Sequence, residues 1–432
     1  MSTLTFMATG DSFITRRLPA NNEGFRQLSS LIQKADVRLT NLEVTVHNFE
    51  GYPSAVSGGT WAIAPPAVLE DLKFFGFNLI SWANNHTLDY LHGGLEATER
   101  YLNEYGFVHA GVGKNLAQAS APRYLECEDG RVALIAATST FHDDWVAGDQ
   151  RPDTIGRPGI NPLRFHTTYT VSHERLRQLK SIAEVCEINA ERELAIKEGF
   201  TVETTDDSVF TFGEYQFVAG EREGKTTRCH ERDVNRIARA ISEARRQADY
   251  VIVSIHSHEM EGLDKAQPAQ FLKDFAHLCI DFGADAVVGH GPHILRGIEV
   301  YKERPIFYSL GNFIFQNETV SVLPADFYEQ YGLDHTHNVA DAYDKRSNGG
   351  TKGLGVNRLV WESVMAYWEV RGGELQAIHL YPIELGYRLP RYRRGWPVLS
   401  RDVQILERLR ELSAVYGVDI EITDGVGRIA LK

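Results

Sequence analysis

The order of apolar and polar positions predicts strands and helices that alternate through most of the chain. Short apolar runs, typical of buried strands, occur at Leu4–Thr9, Val37–Leu42, Phe77–Trp82, Phe107–Ala110, Val132–Ala137, Tyr250–Ile255 and Ala286–Val288. Apolar residues at helical spacing lie between them, near Phe25–Lys34, Ala67–Phe75, Leu95–Tyr105 and Ala269–Phe282. This alternation is typical of an α/β fold with a largely buried sheet.

After Gly289 the pattern changes to strands that follow one another without helices. These runs are Leu295–Tyr301, Pro305–Ser309, Val364–Arg371 and Leu375–Tyr381. Consecutive strands pair most simply as antiparallel neighbours, so we expect a second, more antiparallel sheet. A helical pattern at Ser400–Tyr416 and a short closing strand end the chain.

Two long segments interrupt the α/β pattern, at about residues 141–229 and 318–356. The first begins with a loop rich in Gly and Pro and continues with a helical pattern over Ser172–Glu198. The second is polar, aromatic and glycine-rich. Insertions of this length often form lids or binding loops. We predict one elaborated domain over residues 1–432, with the two insertions either as a substrate lid or as surface decoration.

Composition and charge exclude several classes of protein. The chain has 432 residues, 43% of them hydrophobic, which supports a large core rather than disorder. Its net charge of −13 argues against nucleic-acid binding. Four widely spaced cysteines form neither a disulfide framework nor a zinc motif. Neither a signal peptide nor an apolar run long enough to span a bilayer is found, so we expect a soluble, cytoplasmic protein without a membrane anchor.

Residue types that bind metal ions follow five of the predicted strands. The stretches are Gly10-Asp11, Asn41-Leu42-Glu43, Asn84-Asn85-His86, His256-Ser257-His258-Glu259 and Gly289-His290-Gly291-Pro292-His293. The carboxyl ends of parallel strands meet at one edge of a sheet, where ligands bind. Carboxylate, amide and imidazole groups suit Mn²⁺, Fe²⁺, Zn²⁺ or Mg²⁺, and oxygen-rich sets suit Ca²⁺. Each residue taken alone has a structural alternative, for example Asp11 as a turn cap, but the set predicts a divalent metal site.

The stretch from Asn84 to Asp89 offers acid/base chemistry at the same edge. The three-residue spacing of His86 and Asp89 suits a turn, in which the carboxylate orients the imidazole and raises its basicity. The alternative is an Asn/Asp-rich turn that caps the following helix.

These motifs, together with Tyr308-Ser309-Leu310-Gly311-Asn312-Phe313, resemble those of the CapA family. That family is named for poly-γ-glutamate capsule synthesis and belongs to the calcineurin-like metallophosphoesterase superfamily. The resemblance runs from Gly10 to Phe313. It implies a β-sandwich of two mixed sheets flanked by helices, with a metal centre at the strand ends.

The resemblance also implies roles for individual residues. Those expected to bind metal are Asp11, Glu43, Asn85, His256 and His290. His86 resembles the proton donor of the superfamily. Two departures are visible, because Phe13 stands where the superfamily has a histidine and one extra residue separates His290 from His293. A single metal ion, rather than two, is therefore a credible outcome.

Two acid/base pairs follow from this assignment, His86 with Asp89 and Asp11 with His293, while His258 and Glu259 are expected to support the ligands. Such pairs suit hydrolysis of an amide or phosphoester, and equally proton transfer at a carbon beside a carbonyl. The CapA-like group includes metal-dependent enzymes that epimerise a peptide during lasso-peptide tailoring. We favour a metal-dependent enzyme acting on a peptide or anionic poly-γ-glutamate-like polymer. Peptide epimerisation and a non-catalytic part in capsule assembly are the alternatives, and the oligomeric state is left open.

Overall fold

The computed structural model of the chain describes residues 3–19, 22–202 and 206–431. Its helices are α1 (Glu23–Ile32), α2 (Val68–Phe75), α3 (Leu91–Glu104), α4 (Leu116–Ser120), α5 (His173–Val185), α6 (Ala190–Lys197), α7 (Glu231–Arg245), α8 (Gln270–Asp281), α9 (Ala325–Gln330), α10 (Val339–Ser347) and α11 (Val403–Ala414). The strands of the first half are β1 (Thr3–Phe13), β2 (Val37–Leu42), β3 (Thr45–Val46), β4 (Ile63–Ala64), β5 (Leu79–Ser81), β6 (Val108–Ala110), β7 (Val112–Gly113), β8 (Arg123–Cys127), β9 (Gly130–Thr138), β10 (Gly159–Ile160), β11 (Phe165–Val171), β12 (Val209–Phe212) and β13 (Tyr215–Ala219). Those of the second half are β14 (Gly224–Cys229), β15 (Tyr250–His256), β16 (Met260–Glu261), β17 (Asp264–Pro268), β18 (Ala286–His290), β19 (Ile298–Tyr301), β20 (Arg304–Phe307), β21 (Asn312–Phe315), β22 (Glu362–Arg371), β23 (Glu374–Glu384), β24 (Val398–Leu399), β25 (Ile420–Thr423) and β26 (Val426–Ile429).

Two mixed sheets form the centre of the molecule. The first has the order β25-β26-β23-β22-β1-β2-β5-β6, with β21 paired to the end of β1 and β24 paired to β23. The second has the order β19-β20-β18-β15-β9-β8. Strands β1, β2, β5 and β6 run parallel in one sheet, and β9, β15, β18 and β20 run parallel in the other. The predicted mixed α/β class is confirmed.

The sheets pack face to face because alternate residues of their strands are apolar. Phe6 and Ala8 of β1 lie in one buried cluster with Leu134 of β9 and Ile252 of β15. Met7, which points the opposite way on β1, joins the cluster beneath the outer helices. Full burial of such side chains stabilises the fold by roughly 1.5–3 kcal/mol each.

Helices cover the outer faces of both sheets. Helices α1, α2 and α3 place Phe25, Leu72 and Leu95 over the first sheet. Helices α7 and α8 place Ile241 and Phe275 over the second. The layer order is helix, sheet, sheet, helix.

The expected separate antiparallel sheet after Gly289 is wrong. Strands β19 and β20 extend the second sheet. Strand β22 instead pairs with the N-terminal half of β1, from Thr3 to Ala8, and β23 joins the first sheet by pairing with β22. The cause is that both sheets offer a free parallel edge, which an antiparallel pair can extend. The first sheet therefore contains strands from both ends of the chain.

The expected helix over Ser172–Glu198 is also wrong in detail, because two helices, α5 and α6, share that range. Glu187 between them has a φ of 55°, a left-handed conformation that stops a helix. Strands β11 to β14 form a small sheet of their own beside α5. That first insertion contacts the main body through Thr227 and Cys229, which bind the backbone of Phe271 in α8.

The second insertion, residues 318–356, packs on the loop that follows β3. Phe327 and Ala342 of α9 and α10 join Trp61, Ile63 and Tyr90 in a small buried cluster. In the described part of the chain there is no helix long and apolar enough to cross a membrane.

Candidate metal centre

The carboxyl ends of strands from both sheets meet at one edge of the sandwich. Asp11 at the end of β1 lies opposite Asn41 of β2 and Asn312 of β21 in the first sheet. His256 at the end of β15 lies opposite His290 of β18 in the second. The topology thus collects polar residues that are far apart in sequence.

Gly10 makes this convergence sterically feasible. The Asp11 amide donates a hydrogen bond of 3.0 Å to the Gly311 carbonyl, and a Cβ on Gly10 would collide with that same carbonyl oxygen. A glycine at position 10 therefore lets β21 approach β1 and sets the depth of Asp11.

Glu43 stands at the middle of the cluster. Its side chain is 0% exposed, and neither carboxylate oxygen has a hydrogen-bond partner among the described residues. Oε1 lies 3.6 Å from His256 Nε2, and Oε2 lies 3.8 Å from His293 Nδ1. A buried carboxylate without a partner is costly unless a proton or a cation neutralises it.

Asp11 is held beside Glu43 by an amide that the strand-end motifs did not single out. Asn41 Nδ2 lies 2.8 Å from Asp11 Oδ1 and 3.3 Å from His256 Nδ1, while the Gly291 amide donates to Asp11 Oδ2 at 3.1 Å. Oδ2 is also 3.7 Å from His293 Nδ1. Asn41 therefore fixes the spacing between the two sheets at the site.

The closing histidines separate into two roles. His293, with a φ of 60°, turns its ring into the cluster, and its Nδ1 lies 2.9 Å from Asn312 Oδ1. His290 faces the other way, with Nε2 3.1 Å from the Thr9 carbonyl and Nδ1 3.3 Å from Ser254 Oγ. The structure thus brings His293, and not the predicted ligand His290, into the carboxylate group.

His258 and Glu259 extend the loop that follows β15. His258 presents a buried Nε2 without a partner. Glu259 accepts hydrogen bonds from Ser139 Oγ at 2.7 Å, Ser257 Oγ at 2.8 Å and Thr140 Oγ1 at 3.0 Å. The Glu259 carboxylate thus ties the end of β9 to the loop that carries His258.

A fully buried arginine anchors the same loop from behind. Arg296 donates to the carbonyls of Ser257 at 3.2 Å, Glu259 at 2.9 Å and Lys265 at 2.9 Å. Because these are backbone bonds, Arg296 fixes the course of the loop and leaves no nitrogen pointing to a substrate.

Asn85 presents a buried amide oxygen that has no hydrogen-bond partner in the part of the chain that the structure describes. The loop after β3 presses on it, since a Cβ on Gly58 would collide with the Asn85 side chain and carbonyl. Asn84, its neighbour, has a different task, because its side chain donates to the Leu42 carbonyl at 2.8 Å and accepts from the His86 amide at 3.0 Å. Asn84 shapes the turn, while Asn85 is left with a free oxygen.

His86 and Asp89 form the predicted pair. His86 Nδ1 lies 2.7 Å from Asp89 Oδ2, which also accepts from the Ala62 amide at 2.7 Å. Both residues are buried, and Nε2 of His86 has no hydrogen-bond partner among the described residues. Phe13 packs edge-on against the imidazole with 5.1 Å between ring centroids. Phe13, which stands where the superfamily has a histidine, therefore covers one side of the His86 imidazole.

The donor set matches a divalent cation. Glu43, His256 and His258 each offer a ligand atom within 4.8 Å of the others, and so do Asp11, Glu43 and His293. Among the described residues, the buried atoms without hydrogen-bond partners include the two oxygens of Glu43, the amide oxygen of Asn85, and Nε2 of His256 and of His258. All are metal-ligand atoms of the types preferred by Mn²⁺, Fe²⁺ and Zn²⁺. Glu43 belongs to both groups, so its two oxygens could serve one divalent ion or two.

Burial controls the electrostatics of the cluster. It raises the pKa of Asp11 to about 7 against the lowering effect of the Asn41 hydrogen bond. Burial, with the charges of Asp11 and Asp89, raises the pKa of Glu43 well above its usual range. Burial lowers the pKa of His293 to about 3, and Lys265 nearby contributes to this. Neutral imidazoles beside carboxylates are the protonation state that a metal needs.

The effect of Glu43 on stability gives a pH test. A carboxyl whose pKa is raised in the folded state adds most stability below its unfolded pKa, and this contribution is lost as pH rises. We expect the metal-stripped wild-type protein to lose stability relative to Glu43→Gln between pH 5 and 8, by up to about 1.4 kcal/mol per pH unit. Urea unfolding of both proteins at each pH measures the difference. Comparing the pair cancels the histidines, which shift in the opposite direction. A pH-independent difference would contradict the assignment.

The fold and the site define a mixed α/β sandwich protein with a buried cluster of carboxylates and imidazoles. Comparison with known proteins identifies its family. The family model described as "Bacterial capsule synthesis protein PGA_cap" matches residues 5–317. The chain therefore belongs to the CapA family of capsule synthesis proteins, and the resemblance inferred from its motifs is confirmed.

Named relatives span different parts of the chain. "Uncharacterized protein y4sH" of Sinorhizobium fredii is 36% identical over 99% of this chain and 93% of its own length. "Capsule biosynthesis protein CapA" of Bacillus anthracis is 24% identical over 72% of this chain and 60% of that protein. "Probable polyglutamine synthesis accessory protein MT0602" of Mycobacterium tuberculosis is 36% identical over 21% of this chain and 23% of that protein.

Three residues of the centre escaped the strand-end reasoning: Asn41, Asn312 and Lys265. The two asparagines stand inside motifs that the sequence already marked, and a polar residue on a buried strand was the available signal. Lys265 lies on β17, a strand without an apolar pattern, so its approach to His258 and His293 is a tertiary effect.

Proposed function

We propose that the chain is a metal-dependent hydrolase that cleaves an amide bond in a peptide or poly-γ-glutamate-like substrate. The observation that carries this proposal is the unpartnered carboxylate of Glu43 at the centre of two ligand groups. The calcineurin-like form of the sandwich belongs to the same proposal. A phosphoester is the second bond type that such a centre cleaves.

The ligands that this arrangement offers are Asp11, Glu43, Asn85, His256 and His293, with His258 at the margin. His293 replaces His290 in the set because its ring faces both carboxylates, and a bound cation would take the Nδ1 atom in place of Asn312 Oδ1. A bound divalent cation supplies Lewis-acid polarisation of a carbonyl or phosphoryl oxygen and lowers the pKa of water. Asn41, Asn312 and Glu259 hold the ligands in place.

His86 moves the proton in this proposal. Asp89 binds Nδ1, which leaves Nε2 as the atom that exchanges a proton with the substrate. An imidazole held by a buried carboxylate donates to a departing amine nitrogen as general acid and recovers its proton from solvent. Phe13 covers one edge of the ring and so limits the directions from which water reaches it.

The second insertion gives the proposed substrate lid a physical basis. Arg346 of α10 donates to the Gly59 carbonyl at 3.0 Å and to Thr60 Oγ1 at 2.6 Å. That loop also carries Gly58, which abuts Asn85. Movement of residues 318–356 would therefore be transmitted to the Asn85–His86 edge of the centre.

The test combines metal analysis with product analysis. We expect purified protein to contain a divalent metal, and chelation to lower hydrolysis of γ-glutamyl oligomers at least about 100-fold, with recovery on adding metal back. In H₂¹⁸O the new carboxyl group should carry the heavy oxygen, as expected for cleavage by water.

Other outcomes decide against the proposal in distinct ways. Solvent deuterium at a substrate α-carbon without cleavage would indicate peptide epimerisation. Cleavage of a phosphodiester alone would indicate a phosphoesterase. Absence of metal together with absence of turnover across peptide, γ-glutamyl and phosphoester substrates would indicate a non-catalytic member of the capsule machinery.

A further inference from the structure

A large cavity separate from the metal centre contains arginines without acidic partners. It has a volume of about 790 Å³ and lies between the end of β1, the start of α1 and the loop after β23. Arg16, Arg388 and Arg393 line it, together with the rings of Trp396 and Tyr387. For a chain of net charge −13, this concentration of cations requires a reason.

Arg16 is the clearest sign of a ligand. Its Nε and Nη2 atoms are buried and have no hydrogen-bond partner among the described residues. The guanidinium sits 5.9 Å from the Trp396 ring centroid, and the Arg16 amide donates to Gln316 Oε1 at 3.1 Å, which fixes the base of the side chain. Two buried guanidinium nitrogens without acceptors, on a partly exposed side chain, are a site for a carboxylate or phosphate.

The acidic residues of the cavity have partners other than Arg16, Arg388 and Arg393. Arg358 forms ion pairs with both Glu362 and Asp402. Glu384 accepts a hydrogen bond from Ser400 Oγ at 3.2 Å. The four arginines of the wall exceed its three carboxylates by one charge, and Arg16, Arg388 and Arg393 form no ion pair with any described residue.

Two further cavities continue from the first. One of about 410 Å³ shares Tyr387 and Arg388 with it and adds Lys352. The next, of about 210 Å³, shares Lys352 and adds Arg346. Unpaired cations thus recur along a groove, which we call the basic track and define as Arg16, Arg393, Arg388, Lys352 and Arg346.

Each end of the basic track is linked to the metal centre through intervening residues. At one end Trp361 of the first cavity packs on Phe315, which packs on His293, with 5.6 and 4.9 Å between ring centroids. At the other end Arg346 binds the Gly59 carbonyl, and the adjacent Gly58 abuts Asn85. The track therefore flanks the centre along the lid.

We propose that the basic track binds a chain of carboxylates, a polyanionic peptide of the poly-γ-glutamate type, beside the centre. Repeated cations along a groove suit a polymer better than a single anion, because each carboxylate meets a new guanidinium or ammonium group. The inference deepens the proposed function by assigning the surface that binds the substrate. It rests on that function for the identity of the bound chain as a substrate.

Binding of a fluorescently labelled γ-glutamate decamer to the full-length protein, as purified and after chelation, tests the track. We expect Arg388→Gln/Arg393→Gln to weaken binding at least about tenfold, and Arg391→Gln to stay within about twofold. Arg391 lies on the same loop but is already paired with Asp344, so it controls for general loss of charge. A neutral γ-glutamine decamer should not bind.

Arg16→Met extends the test to the partly buried cation. Because a partly buried charge without an ion pair among the described residues is removed, the melting temperature should not fall, while decamer binding weakens at least about tenfold. A lower melting temperature with unchanged binding would assign Arg16 to packing and overturn its place in the track.

Equal losses in Arg391→Gln and the double variant would overturn the track as a defined site. Equal binding of polyphosphate or single-stranded RNA would overturn the carboxylate chemistry. Arginine-dependent binding that survives chelation in a protein without turnover would support the track and reject the hydrolase. Metal-dependent turnover with binding insensitive to all the variants would do the reverse.

Discussion

Replacement of Glu43 by Gln is expected to remove the metal and to lower turnover by about 10³-fold or more. Glu43 belongs to both ligand groups, and neither of its carboxylate oxygens has a hydrogen-bond partner among the described residues. An amide keeps the size of the side chain but loses its charge and one acceptor. Elemental analysis of the purified variant and its rate with the substrate of the wild-type protein measure the two effects.

Asp285→Asn is the matched control for Glu43→Gln. Asp285 is buried at the opposite end of β18 and is paired with Arg245 and Arg304. Breaking that pair should lower stability while metal content stays at the wild-type level. Glu43→Gln should show the reverse, with metal lost and the stripped protein stabilised. Full metal content in Glu43→Gln would remove the basis of the proposed centre.

Replacement of His86 by Ala is expected to lower turnover by about 10²–10⁴-fold while metal content is retained, because the imidazole moves the proton and is not in either ligand group. Asp89→Asn should act in the same direction, since the amide no longer fixes Nδ1 of His86. Added imidazole should restore part of the rate of His86→Ala. In Asp89→Asn, the contribution of a basic group to the pH–rate profile should be lost, while the variant still contains its metal.

His109→Ala serves as the comparison for His86→Ala. His109 is also a largely buried histidine at a strand end, and its Nε2 lies 3.1 Å from Asn103 Oδ1. Its loss should cost stability without changing the turnover of folded protein. Similar rates for His86→Ala and the wild type would transfer the acid/base role to another residue.

The alternation of apolar and polar runs was sufficient to predict most of the strands that build the two sheets, but not β8, β21 or β24. β2, for example, has the predicted bounds Val37–Leu42. The partners of β22 and β23 were beyond reach, because the apolar alternation of a strand shows which of its faces is buried but not which sheet it joins. The break at Glu187 was missed because no Gly or Pro marks it.

At the site, the predictable part was the position of polar residues after buried strands. Asp11, Glu43 and His256 follow this rule and lie together. The choice between His290 and His293 depends on the turn between them, where Gly291 has a φ of 117° and His293 a φ of 60°. Those conformations reverse which ring faces the carboxylates, and they arise from packing between the two sheets.

The contact between Gly58 and Asn85 has a consequence for how this family can change over time. No side chain can replace the hydrogen at Gly58 without displacing Asn85. Mutation of Gly58 to any other residue would therefore disable the centre, although Gly58 itself is not one of the proposed ligands. Among active relatives, substitutions should therefore be as rare at Gly58 as at the ligands. Lineages that have drifted to a non-catalytic role should reveal it by a side chain at this position.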